Sequence, residues 1–416
     1  MEPSLNSVCE LQGITRIVFT GDVFRVVQEE REPNQFPNVF WLYNLFSYQL
    51  TQITGIIPEI CFRTRNYESG NAIIKEAYKV LGLETSAKGW QTSFWHENVP
   101  GDLIDLFRRD YDRALVLAFE LSPIMERILD RLGCPWIDVA VSPIRFLDDL
   151  LLSIRLSAHF KSEPLLPFAV SEKDIRYAVD YVRHWFRAKR SETHLKRDDV
   201  VFFGQIDGDR TLITYDGSLF SAEVTVAALA DFVGKRRLWI KPHPYALENQ
   251  VVQSAIERLG GQLIDENAYG ILSADVDIDV VTISSSIGRE APWFGKRTQL
   301  FYDWVLRRFE AGLTIRDSYC FSDFWRVLLD QIMPISAFHR TGRADVRHPA
   351  LRQAQPKPNV LRRQLGFWGM PRDVWAENGE LQRARAEIAA LRASTSWRVT
   401  APLRRLSSCL RPKNGN

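Results

Sequence analysis

The sequence predicts an α/β protein made of two doubly wound, Rossmann-like halves that face each other across a cleft, with a helical tail behind them. Three observations carry that prediction. Compact β-branched runs alternate with apolar-periodic helical segments, the pattern of parallel βαβ units. The alternation occurs twice, over residues 14–190 and again after 195, with a polar stretch between. The strand runs end in turns rich in Gly, Asp or Ser, at the carboxyl edge where such sheets bind ligands.

In the first half, residues 1–190, the run 14–20 reads as a strand ending at Gly21-Asp22. An apolar-periodic helix follows over 39–53 and stops at Gly55, and 59–62 is a second short strand. Residues 71–81 form a helix closed by Gly82. The run 114–119 is a buried strand, 123–132 a helix closed by Gly133, 136–141 a strand and 146–160 a helix. A charged amphipathic helix over 171–190 leads into a polar linker at 188–193. The second half, residues 195–340, has strands over 200–203, 238–240, 276–283 and 299–302. Its helices cover 222–233 and 247–259, and a third starts over 288–294.

Residues 341–376 read as loop and crossover, rich in Pro, Gln and Arg. From 377 the chain changes character. Leu381, Ala384, Ile388 and Leu391 alternate spacings of three and four, a coiled-coil seam. After Glu387 no acid follows, while Arg392, Arg398, Arg404, Arg405, Arg411 and Lys413 interleave with Trp397, Val399, Leu403, Leu406 and Leu410. Residues 381–413 thus suit coiled-coil self-association or contact with an anionic inner-membrane surface, and equally a solvated terminal helix. The stretch 393–404 is similar to a tail found in other bacterial polysaccharide-assembly proteins.

Composition narrows the class. The 416 residues with 45% hydrophobic content are enough for two core-forming domains. A net charge of +2 supplies no field for nucleic acid. No apolar run reaches the length of a membrane span, and the polar N-terminus with Glu2 and Glu10 does not read as a signal peptide. Five scattered cysteines without a CxxC pair read as free thiols in a reducing cytoplasm.

Three turns could carry chemistry. Lys241-Pro242-His243-Pro244 ends a strand; each proline fixes φ, which makes a rigid platform for one cation and one imidazole facing a phosphate-bearing ligand. Ser284-Ser285-Ser286-Ile287-Gly288 links a strand to a helix opened by Arg289-Glu290, where N–H groups and hydroxyls form an anion site. One serine suffices as an N-cap, so three exceed that need. Gln205-Ile206-Asp207-Gly208-Asp209 follows the first strand of the second half, and its two acids suit a nucleophile, a base or metal ligands. The DxD spacing recurs at Asp110, Asp275 and Asp277 and is too common to assign a metal; no His/Cys cluster has zinc spacing. No metal and no cofactor is therefore expected. From the first half, Glu120 ends a strand and Arg145 follows the next; Arg145 suits a bidentate contact to a sugar carboxylate. An inter-element salt bridge is the plainer role for both.

Taken together, Gln205-x-x-x-Asp209, Lys241-Pro242-His243-Pro244 and Ser284-Ser285-Ser286-x-Gly288-x-Glu290-Ala291 resemble the capsule-polysaccharide synthesis family, whose members include retaining bacterial β-Kdo transferases. Phe119-Glu120-Leu121 and Pro143-Ile144-Arg145-Phe146-Leu147-Asp148-Asp149 also resemble that family's first half. The resemblance implies a GT-B-like fold and a CMP-activated sugar acid, most simply Kdo, given to a surface polysaccharide or glycolipid. It implies that His243, Ser284, Ser285 and Ser286 grip the CMP phosphate, with Lys241, Pro244, Gln205, Gly288, Glu290 and Arg145 shaping the donor site. Asp209 matches the family's aspartate nucleophile by its spacing from Gln205. Asp207 is the second candidate, because Asp207-Gly208-Asp209-Arg210-Thr211 stands where the family usually has a more Ser-rich ending. Glu120 is the candidate base for the acceptor hydroxyl. A sialyltransferase-like enzyme, a CDP-polyol phosphotransferase and a non-catalytic assembly scaffold share the same architecture.

Overall fold

A computed structural model describes residues 13–26, 36–61, 68–188, 194–243, 246 and 249–333. Its strands, in chain order, are β1 (Arg16–Gly21), β2 (Glu59–Ile60), β3 (Ala114–Phe119), β4 (Trp136–Val141), β5 (Leu152–Leu156), β6 (Val200–Phe203), β7 (Leu238–Lys241), β8 (Gln262–Leu263), β9 (Asp279–Thr282), β10 (Arg297–Leu300) and β11 (Leu313–Ile315). They form two sheets, one per half, in a GT-B-like α/β arrangement.

The first sheet has the order β11-β5-β4-β3-β1-β2. β1 to β4 run parallel, and β5 turns back antiparallel to β4. The central strand β3 is apolar throughout because helices cover both faces, and every one of its residues is buried. Helix Phe36–Thr54 closes one face, and helices Gly101–Tyr111 and Pro123–Arg131 close the other. The second sheet, β10-β9-β6-β7-β8, is parallel throughout. Helix Glu172–Ala188 packs on one face, and helices Ala222–Val233 and Gln250–Leu259 pack on the other.

In each sheet the chain builds outward in one direction, then returns to build in the other. The reversal falls between β1 and β3 in the first sheet and between β6 and β9 in the second. At such a switch point adjacent connections leave on opposite faces, which opens a crevice at the strands' carboxyl ends. The segment after β6 docks on the first half and brings the two crevices together. Trp95 Nε1 donates to the Ile213 carbonyl at 3.1 Å, and Lys88 Nζ to the Gly217 carbonyl at 3.1 Å. Gly217 has φ +76°, and a Cβ there would lie 2.8 Å from Thr92 Cα, so the approach admits no side chain.

The structure departs from the sequence expectation at two places. The helix expected over 146–160 is instead a loop followed by β5. Leu150, Leu151, Leu152 and Ile154 are all buried, so the short run carries no clear period, and antiparallel pairing to β4 decides it. The halves also exchange elements across the expected boundaries of 1–190 and 195–340. Ile175, Val179, Val182 and Phe186 of helix Glu172–Ala188 join the second core. In return, β11 pairs with β5, and helix Ser322–Leu329 buries Phe324, Trp325 and Leu328 against helix Phe36–Thr54. Periodicity marks an apolar face but not which core receives it. The segments 341–376 and 377–416, with the seam and basic face over 381–413, lie outside the described residues. No helix among the described residues is long and apolar enough to cross a membrane.

Candidate functional site

The second half's switch point is organised by Gln205, buried just past β6. Its Oε1 accepts from the Ser284 N–H at 3.1 Å, and its Nε2 donates to Thr211 Oγ1 at 2.6 Å. One amide therefore couples the serine turn after β9 to the turn that carries Asp209. Thr211 donates in turn to Asp209, from its N–H at 2.9 Å and its hydroxyl at 3.0 Å. Both bonds fall on Oδ1, which orients the carboxylate and leaves Oδ2 for a ligand.

The serine turn carries the clearest sign of a missing partner. Ser284 is buried, and its hydroxyl has no hydrogen-bond partner. A buried unsatisfied hydroxyl costs about 1–3 kcal/mol, so a ligand oxygen is the natural complement. The expected cradle of backbone donors is partly spent inside the protein. The Ser284 N–H goes to Gln205, and the Ser285 N–H donates to Thr282 Oγ1 at 3.3 Å. Ser286 precedes helix Ile287–Glu290 without a side-chain cap bond.

The first half's switch point presents Glu120 at the end of β3. It has φ +58°, a conformation that is strained for a residue with a side chain. Burial pushes its pKa above the usual carboxylate range, while the nearby Arg210 and Arg25 guanidinium groups pull it down. Beside it Asp22, just past β1, is fully buried and accepts from Trp90 Nε1 at 2.9 Å and Ser122 Oγ at 2.7 Å.

Arg210 joins the two crevices. It leaves the Asp209 turn, crosses the cleft, and donates from Nη1 to the Glu120 carbonyl at 3.0 Å; its Nη2 lies 3.1 Å from the Glu120 carboxylate. Asp209 lies close enough to act electrostatically on both Glu120 and His243. Burial holds the His243 pKa below its usual value, Asp209 raises it, and Arg145 lowers it further. Asp209, Glu120, His243, Arg145 and Arg210 thus share one cleft.

The other expected residues are placed differently. Asp207 is exposed and accepts from Asn249 Nδ2 at 2.5 Å, beside a cavity of about 220 Å³ also lined by Gly208, Leu219 and Phe220. Lys241 sits at the end of β7 with Nζ 4.0 Å from Asp265; burial lowers its pKa, and Asp265 and Glu266 oppose that. Glu290 is buried and accepts from the Arg145 N–H at 2.6 Å and the Tyr269 hydroxyl at 3.0 Å, so it ties the first half's loop to the second. Gly288 serves packing: a Cβ would meet Thr282 Cγ2 at 2.9 Å and Leu300 at 3.0 Å. Pro244 lies outside the described residues.

Arg25, Arg210, Thr211 and Asn249 were not legible as site residues in the sequence. Arg210 and Thr211 directly follow Asp209, and Arg25 lies three residues past Asp22 at a strand's carboxyl end, which is the one signal that points to them. Among the described residues, no group of three or more His, Cys, Asp or Glu side chains is placed to hold a metal ion.

No family model matches the chain, and no curated relative matches it. Two solved structures to which it is similar are both of Thermosulfurimonas dismutans KpsC. One is its beta Kdo 2,7 transferase, at 14% identity and a TM-score of 0.30, covering 57% of this chain and 77% of that one. The other is its beta Kdo 2,4 transferase, also at 14% identity and a TM-score of 0.30, covering 44% of this chain and 67% of that one. A likeness at that level carries no argument about activity, which rests on the cleft residues themselves.

Proposed function

We propose that this chain is a glycosyltransferase that moves a sugar acid, Kdo, from its CMP-activated form to a bacterial surface polysaccharide or glycolipid, with retention of anomeric configuration. One observation carries the reading: Arg210, next to Asp209 in the turn after β6, bonds Glu120 across the cleft, and Asp209 acts electrostatically on both Glu120 and His243. A non-catalytic scaffold has no use for that convergence. The donor class comes from the motif resemblance, and the buried Ser284 hydroxyl without a partner supports an oxyanion at the serine turn.

The chemistry runs in two displacements. Asp209 Oδ2 attacks the anomeric carbon, the bond from that carbon to the phosphate oxygen breaks, and CMP leaves with the electron pair. His243, Lys241 and the Ser284 hydroxyl stabilise the charge that develops on the phosphate. The acceptor hydroxyl then enters. Glu120 takes its proton, the acceptor oxygen bonds the anomeric carbon, and the Asp209 carboxylate is released. A carboxylate whose pKa is raised by burial is a stronger base than one in water, which suits Glu120 to that step.

Calorimetric titration with CMP, CDP, UDP and GDP, repeated on His243→Ala, tests the donor. Selective CMP binding that the variant loses is expected, followed by CMP-Kdo turnover that Asp209→Ala abolishes. Selective CDP binding turns the reading toward a polyol phosphotransferase, and UDP or GDP binding overturns the donor class. A folded protein that binds none of the four is the scaffold.

A further inference from the structure

We infer that Arg25, beside the Arg210–Glu120 pair, forms a carboxylate subsite at the first half's switch point, which selects an acidic sugar over a neutral one. The inference rests on the transferase reading above and adds the group that recognises the sugar's own charge, separate from the phosphate.

Arg25 follows β1 by four residues, and its guanidinium lies over the Trp90 ring at 5.2 Å from the centroid. Its Nε is buried and has no hydrogen-bond partner. Among the described residues it forms no ion pair, although Glu120, Asp209 and Asp22 all lie within electrostatic reach. Packing on Trp90 alone leaves this unexplained, because an enclosed, unpaired guanidinium edge costs free energy that a cation–π contact does not return. Burial lowers its pKa first, and the neighbouring Arg210 lowers it further. Glu120, Asp209 and Asp22 oppose both effects without overcoming them, so a further anion at the Arg25 edge stabilises its charge.

None of the three nearby acids pairs with Arg25. Asp22 accepts from Trp90 and Ser122, Glu120 from Arg210, and Asp209 from Thr211. Arg145, the residue expected to meet a sugar carboxylate, stands elsewhere: its N–H is held by Glu290, and its charge acts on His243. That assigns Arg145 to the phosphate side and leaves Arg25 on the side of Glu120. A guanidinium fork suits a planar carboxylate, which accepts two parallel hydrogen bonds, better than a single ammonium does.

Ligand-observed NMR on the full chain tests the subsite with free Kdo, Kdo methyl ester, and inorganic phosphate as competitor. The expected result is that Kdo binds, its ester binds at least about ten-fold more weakly, and phosphate competes poorly. Arg25→Gln should lose Kdo binding by a similar factor, and Arg25→Lys should restore part of it. Calorimetric CMP affinity should stay within about two-fold in both variants, since CMP lacks the sugar carboxylate. The inference is overturned if Kdo does not bind, if the ester binds as well as the acid, if phosphate displaces Kdo readily, or if CMP affinity falls in parallel. Failure of the transferase reading shows separately, as absence of CMP binding in the unaltered protein while Kdo still discriminates against its ester.

Discussion

Arg210 grips Glu120 twice across the cleft, at the backbone carbonyl at 3.0 Å and at the carboxylate at 3.1 Å. One side chain from the second half thus holds in place the strained residue that ends the first half's central strand. A buried pair of this kind adds little net stability and does more for geometry. It ties the candidate base to the turn that bears the candidate nucleophile, because Arg210 is the residue that follows Asp209.

That pairing makes Glu120 titrate in a predictable direction. Burial raises its pKa, and Arg210 is the largest opposing influence. In Arg210→Met the carboxyl pKa should rise further, because the largest opposing charge is gone. A base acts only when ionised, so activity is lost as pH falls through that value. The acid limb of the kcat/KM profile should therefore move to higher pH in Arg210→Met and vanish in Glu120→Gln. An unmoved limb would mean that another group carries it.

His243 titrates the other way. Burial holds its pKa below the usual value near 6.5, so the ring is neutral at pH 7 and gains charge only below that range. The ratio of CMP affinities of the unaltered protein and His243→Gln, measured by calorimetry, should rise as pH falls below about 6.5, because protonation of the ring adds a cation beside the phosphate while the phosphate's own protonation is common to both. A ratio that does not change with pH would separate His243 from the phosphate.

Gly288 is predicted to be needed for fit. In Gly288→Ala the new methyl group strikes Thr282 Cγ2 and Leu300, and overpacking of this kind costs about 1–3 kcal/mol. Thermal denaturation should show a lowered Tm. Adding Thr282→Ser deletes Cγ2 but keeps the hydroxyl that donates to the Phe203 carbonyl, and should recover part of the loss. A Tm unchanged by Gly288→Ala would refute the steric account.

Gln205 is predicted to act through the groups it couples. Gln205→Leu leaves the buried Ser284 N–H without its acceptor, which costs about 1–3 kcal/mol. It also frees Thr211, and with it the orientation of Asp209. CMP binding and turnover should both fall, whereas Asp209→Ala should spare CMP binding and remove turnover. Equal CMP affinity in Gln205→Leu and the unaltered protein would break the proposed link to the serine turn.

Much of the second half was legible before the structure. The strand 200–203 and helix 222–233 match the structure residue for residue, because a short apolar run bounded by turn residues admits few alternatives. Gln205, His243, Ser284 and Asp209 follow strands at their carboxyl ends, so their sharing of a crevice follows from parallel topology. Gly288 and Glu290 belong to the same motif but hold elements together, a distinction invisible in spacing. The helix Gly101–Tyr111 was missed because its apolar Leu103, Ile104 and Phe107 are interleaved with five charged residues.

The sequence by itself determined the α/β class and the two strand-and-helix alternations, and it marked the turns after β6, β7 and β9 as candidates for chemistry, since these depend on local periodicity and on residues a few positions apart. Only the tertiary structure decided that helix Glu172–Ala188 serves the second core and helix Ser322–Leu329 the first, that Asp207 turns to Asn249, and that Arg210 reaches Glu120. Each of these pairs groups far apart in the chain. Their meeting is set by the packing of whole sheets and by which buried charge finds a partner, and no local pattern encodes that choice.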